Sequence, residues 1–129
     1  MPGSSALTDG VLVQVESRFA PEHSDPGAGE WFFLYRIRIT NEGDRTVKLL
    51  ARHWVITDAN GELEEVAGPG VVGRQPILEP GQSFEYTSGC PLKTPFGSMR
   101  GTYELVRQGG ESFQARIADF ALSQPNQLE

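Results

Sequence analysis

Apolar and polar residues alternate along most of the chain, the period-2 signature of strands buried on one face. The first clear case opens at Val11: Val11, Val13, Val15 and Phe19 share one face, while Gln14, Glu16 and Arg18 share the other. A loop rich in proline and glycine, 20-APEHSDPGAGE-30, breaks the pattern. The segment 31-WFFLYRIRIT-40 is the clearest strand, with Phe33, Tyr35, Ile37 and Ile39 directed one way and Arg36 and Arg38 the other. After a turn at 41-NEGDR-45, 46-TVKLLARHWVIT-57 predicts a long strand. Its alternation slips between Leu49 and Leu50, as a β-bulge or burial on both faces would require. Asn60-Gly61 predicts a hairpin turn, because both residues tolerate positive φ. Shorter strands are predicted at 62–67, 83–88, 102–107 and 112–118, with Gly109-Gly110 turning the chain between the last two. Phe120 and Leu122 prolong the last strand.

No segment carries apolar residues at i, i+3, i+4 and i+7 over a helical length without a proline. About seven or more short strands with regular turns predict an all-β fold, an antiparallel β-sandwich in a single domain over residues 11–122. Residues 1–10, MPGSSALTDG, read as a flexible N-terminal tail, and residues 123–129 as a polar C-terminal tail.

Composition narrows the function classes. Asp and Glu (17) outnumber Lys and Arg (11), for a net charge of -6, so a nucleic acid is not the expected partner. The single cysteine, Cys90, rules out an internal disulfide and fits a reducing cytoplasm. No signal peptide is expected, and no apolar run approaches the ~20 residues that span a bilayer. The expectation is a cytoplasmic protein without membrane insertion.

One motif suggests chemistry. In 66-VAGPGVVGRQP-76, Gly68, Gly70 and Gly73 have the G-x-G-x-x-G spacing of dinucleotide-binding loops. Such a loop needs a helix whose N-terminal amides face the pyrophosphate. Here Pro76 and Pro80-Gly81 prevent a helix from starting, and no βαβ unit surrounds the motif. Two readings remain. The glycines turn the chain, with Val71 and Val72 packing inward, or their amides form a small anion nest beside Arg74.

The chain resembles the ApaG family, also called CorD. The resemblance is carried by 52-RHWVITDANG-61, 66-VAGPGVVGRQP-76, 79-EPGQSFEYTSGCPLKTPFGSM-99 and 101-GTYELV-106, with 20-APEHSDP-26 similar to the family's early loop. It implies an immunoglobulin-like or fibronectin-type-III-like sandwich. It also implies a link with cobalt resistance and magnesium efflux in bacteria, without an enzymatic activity. The resemblance further implies a module that, within larger eukaryotic proteins including F-box proteins, serves protein–protein interaction. The family's glycine motif falls on Gly68, Gly70 and Gly73.

Other candidates are weaker. Cys90 has no base assigned to it by sequence and reads as a packed residue. Glu22, His23 and Asp25 could hold a divalent cation weakly, but no H-x-H or C-x-x-C spacing supports a metal site, and no cofactor is expected. Arg36, Arg38, Arg45, Lys48 and Arg52 fall in one predicted hairpin region. They guard an edge, or dock an acidic partner unless acids such as Glu85 or Glu104 neutralise them. Trp54 is expected in the core, and Phe96 on an exposed loop tip as a partner anchor. The leading expectation is a non-enzymatic module that binds a protein, with a homodimer through an edge strand as one form. The alternative is a sensor of phosphate, nucleotide or a divalent cation.

Overall fold

The inward-facing alternation builds nine strands in a computed structural model that describes residues 3–125. They are β1 (Gly3–Thr8), β2 (Val11–Phe19), β3 (Trp31–Asn41), β4 (Val47–Asp58), β5 (Leu63–Pro69), β6 (Ile77–Leu78), β7 (Ser83–Leu92), β8 (Phe96–Arg107) and β9 (Ser112–Ser123). All pairings are antiparallel. One sheet has the order β1-β2-β3-β7; the other runs β5-β4-β8-β9, with β6 also on β4. Two single-turn 3-10 segments, Pro21–His23 and Pro26–Ala28, occupy the early loop.

The facing sides of the sheets supply the core. Val11, Val13 and Val15 of β2 and Phe33, Tyr35, Ile37 and Ile39 of β3 are buried as their spacing predicts. Trp54 is 2% exposed and meets Tyr35 and Phe120 at ring-centroid distances of 5.4 and 5.9 Å, in edge-on geometry that suits the ring quadrupoles. Across the sandwich the phenols of Tyr86 on β7 and Tyr103 on β8 hydrogen-bond to each other, which satisfies two polar groups in an apolar interior.

Two bulges reset the alternation. An extra residue in β4 between Leu49 and Ala51 lets Leu49 and Trp54, at odd separation, both face inward. A register shift between β8 and β9 does the same for Ile117 and Phe120.

Several expectations need correction. Residues 3–8 are a strand rather than a loose tail, because Gly3–Thr8 pairs with Val11–Glu16 through a tight turn at Asp9 and Gly10, both at positive φ. The C-terminal tail loses Ser123 to β9, and Gln124 accepts a hydrogen bond from the Trp31 indole (2.8 Å); positions 126–129 lie outside the described residues. β3 and β4 are not a hairpin. They belong to different sheets, so the five basic residues do not share a face. Phe96 opens β8 rather than capping a loop, although it stays 54% exposed.

The crossing from β3 to β4 turns on one buried side chain. Asn41 is 1% exposed, and its Nδ2 donates to the carbonyls of Arg45 (2.8 Å) and Leu78 (2.9 Å), while its Oδ1 accepts from the Gly43 N–H (3.0 Å). Its backbone N–H donates to Gln82 O and its carbonyl accepts from Gly81 N–H. Replacing Asn41 with alanine removes the donors to the Arg45 and Leu78 carbonyls and the acceptor of the Gly43 N–H, and each buried group that loses its partner costs about 1–3 kcal/mol. We expect Asn41→Ala to lower unfolding stability by about 3 kcal/mol in urea titration; a loss below about 1 kcal/mol would mean that water replaces the amide.

Candidate functional site

The glycine loop joins two half-strands that occupy the same side of β4. β5 pairs with Ala51–Thr57 and β6 with Val47–Lys48, so the chain leaves the sheet after Pro69 and returns at Ile77. The bulge of β4 lies opposite this gap. Its Leu50 carbonyl accepts the Gly70 N–H (2.8 Å) and the Gln75 Nε2 (3.0 Å). Val71 and Arg74 exchange backbone hydrogen bonds at 2.8 Å in each direction, closing a tight turn over Val72 and Gly73. The amides of Gly70, Val71 and Arg74 are thus consumed by the fold, and Gly68 lies in the β5 ladder opposite Arg52.

The arginine that the loop engages is Arg52, not Arg74. Its guanidinium donates to the carbonyls of Pro69 (2.9 Å) and Gly70 (3.0 Å), whereas the Arg74 side chain is exposed. Sequence reasoning missed Arg52 because the two are neighbours only through the β4–β5 pairing. Val71 packs inward as expected, but Val72 does not: it is 55% exposed with φ +43, a left-handed conformation that strains a β-branched residue. Beside the loop lies a shallow depression bordered by Arg74, Gln75, Gln82 and Ser83.

The early-loop residues do not converge. Glu22 bonds Arg18 at 2.9 Å, which holds its carboxyl below the usual range; the His23 ring lies edge-on to Phe32; Asp25 pairs through its backbone with Glu30. Among the described residues no group of three or more His, Cys, Asp and Glu side chains is placed to hold a metal ion. On the outer face of β3, Arg36 and Arg38 share one acid, Glu85 of β7, at 3.0 and 3.6 Å. Glu104 belongs to the other sheet. Cys90 is buried in β7, and burial, with a smaller push from the Glu64 carboxylate, raises its thiol to about 12. That is a protonated, unreactive sulfur at neutral pH.

The two sides of the sandwich differ. On one, the edge strands β1 and β9 are tied together: Ser4 Oγ donates to Ala118 O (2.7 Å), and the Arg116 N–H donates to Thr8 Oγ1 (3.1 Å). On the other, β5 and β7 end their sheets and have no such ties among the described residues. Between them a groove of about 550 Å³ is floored by Trp31, Ile56 and Leu92 and flanked by the exposed Leu63.

Two outcomes follow from this geometry. A Cβ on Gly70 would collide with the Arg74 carbonyl, whereas one on Gly73 meets open space and bears only the left-handed φ of +79. Gly70→Ala is therefore expected to destabilise more than Gly73→Ala (the latter by about 1 kcal/mol), and Val72→Asn to stabilise by about 0.5–1 kcal/mol, in chemical denaturation. The second concerns alkali. Cys90 and the burial-raised phenols of Tyr86 and Tyr103 hold their protons longer folded than unfolded. Stability is then whole below the unfolded values, near 8.5 for the thiol and 10 for the phenols, and falls as pH rises, by up to about 1.4 kcal/mol per pH unit for each group. Urea midpoints measured from pH 8 to 11 check this; a midpoint that stays flat across that range contradicts it.

A family profile for the ApaG domain matches residues 21–107. The Protein ApaG of Anaeromyxobacter dehalogenans (strain 2CP-C) is 56% identical over 125 residues, covering 97% of this chain and 98% of that protein. The Protein ApaG of Bordetella pertussis is 51% identical over 118 residues, covering 92% and 90%. In three dimensions the crystal structure of the ApaA protein from Bordetella pertussis superposes with a TM-score of 0.87 at 50% identity, covering 89% of this chain and 94% of that one. A second structural-genomics X-ray structure gives the same TM-score at 44% identity, covering 95% and 92%. With its strands and glycine loop held as described, the chain belongs to the ApaG domain family.

Proposed function

We propose that this chain is a non-enzymatic interaction module that binds a protein partner in the cytoplasm through the open side of its sandwich. The observation that carries this reading is the asymmetry of the edges: β1 and β9 are bridged by side chains, while β5 and β7 end their sheets with no such bridge among the described residues. Exposed Leu63 and Ile77, at the ends of β5 and β6, add apolar contact area on that side. Phe96 is a further exposed anchor at the start of β8. The link with cobalt resistance and magnesium efflux that the family resemblance implies then reflects action on a transporter or its regulator. Ion binding by this chain is not required.

The sensor alternative has less support. Three amides of the glycine loop are spent on the fold, and Glu22 is held by Arg18. The basic face is likewise partly neutralised, since Glu85 serves both Arg36 and Arg38.

Affinity capture from native lysate tests the proposal. We expect a partner held by the wild type, lost at least about tenfold with Leu63→Lys, and retained by Arg36→Glu/Arg38→Glu. Loss only with the arginine pair moves the docking surface to the outer face of β3. A wild type that captures nothing, itself included, ends the interaction reading.

A further inference from the structure

The two open edges are not equivalent, and their chemistry says what one of them accepts. β7 is blunted: Pro91, opposite Phe32, lacks an N–H to offer, and the Phe32 ring covers Gly89. β5 has no proline before Pro69 at its end, so Leu63–Ala67 keeps a continuous row of outward N–H and C=O groups. What guards it is charge. Glu64 follows the parity of Val66, a residue packed on the core, and stands opposite Ile56, yet carries a carboxylate into the groove. Glu30, Asp58 and Glu62 line the same groove, against Lys93 alone among described lysines and arginines. Among the described residues Glu30, Glu62 and Glu64 form no ion pair.

Acids along an open edge reject some strands and admit others. A second copy laid antiparallel on β5 would set its own glutamates against these, on a chain of net charge -6. A segment alternating basic and apolar residues meets no such penalty. Its cations face Glu62 and Glu64 on the groove side of the sheet, and its apolar side chains, on the opposite face of the added strand, cover the exposed Leu63.

We infer that β5 and the adjoining groove bind an extended basic–apolar segment of a partner protein, which adds to the sheet as a new strand outside β5. This rests on the interaction-module reading and names its surface and the partner's chemistry. The test titrates the labelled full chain with the peptide Ac-Lys-Val-Lys-Val-Arg-Val-NH2 and with its glutamate counterpart, following amide shifts. Expected are saturable shifts confined to Leu63–Ala67 and the groove for the basic peptide only, weakened at least about tenfold by Glu62→Lys/Glu64→Lys, whose spectrum otherwise remains that of the fold. Equal binding of the acidic peptide, shifts spread over the surface, or no saturation up to about 1 mM peptide would overturn the assignment. In the capture experiment, a partner held as well by Glu62→Lys/Glu64→Lys as by the wild type also overturns it, yet leaves the module reading intact.

Discussion

The amide of Asn41 is the constraint on which the two-sheet arrangement depends. A sandwich forces the chain to leave one sheet and enter the other, and each crossing exposes backbone groups that no ladder satisfies. Asn41 ends β3 and collects the loose ends of that crossing: its side chain holds the carbonyls of Arg45 and Leu78 and the N–H of Gly43, and its backbone holds Gly81 and Gln82. Through Leu78 the same residue fixes β6, the short strand that brings the chain back to β4. One side chain thus joins the β3–β4 crossing to the β6–β7 crossing. Hydrophobic burial drives the sheets together, but it is non-directional; the directional hydrogen bonds at Asn41 choose the connection.

The glycine loop follows from that arrangement. β5 and β6 share the side of β4 that faces away from β8, and a gap separates them along it. The loop fills the gap, the bulge at Leu50 offers its carbonyl there, and Arg52 ties the neighbouring carbonyls. The dinucleotide-like spacing is the imprint of an edge interruption, because a chain that leaves and rejoins one edge within a few residues needs positive φ at several positions. The same arrangement leaves β5 as an edge strand, which is why the open side of the sandwich carries the functional reading.

Charge is distributed unevenly on this frame. The outer face of β3 has basic residues partly satisfied by Glu85, while the groove beside β5 has acids without ion pairs among the described residues. Because β3 and β4 part into different sheets, Arg45 and Arg52 take up separate duties: Arg45 meets Glu111 near the β8–β9 turn, and Arg52 staples the glycine loop. A cluster in sequence became a dispersed set in space.

The sequence by itself determined the class of fold and most of its strands. Period-2 burial is local, so Val11–Phe19 and Trp31–Thr40 could be read residue by residue, as could the slip at Leu49 and the turns at Asn60-Gly61 and Gly109-Gly110. Trp54 was legible as core from its place in a central strand of a sandwich, not from the alternation, which the bulge after Leu49 resets. The first strand was not, because Gly3–Thr8 is small and half polar and is held by pairing with β2 and by Ser4 and Thr8 reaching β9. Of the candidate site, the sequence offered the glycines, but not Arg52 or the bulged Leu50 carbonyl that engage them, since a strand's partner is nonlocal information. Only the tertiary structure decided which strands became edges. An edge is defined by the neighbour a strand lacks, and no local pattern of residues encodes that.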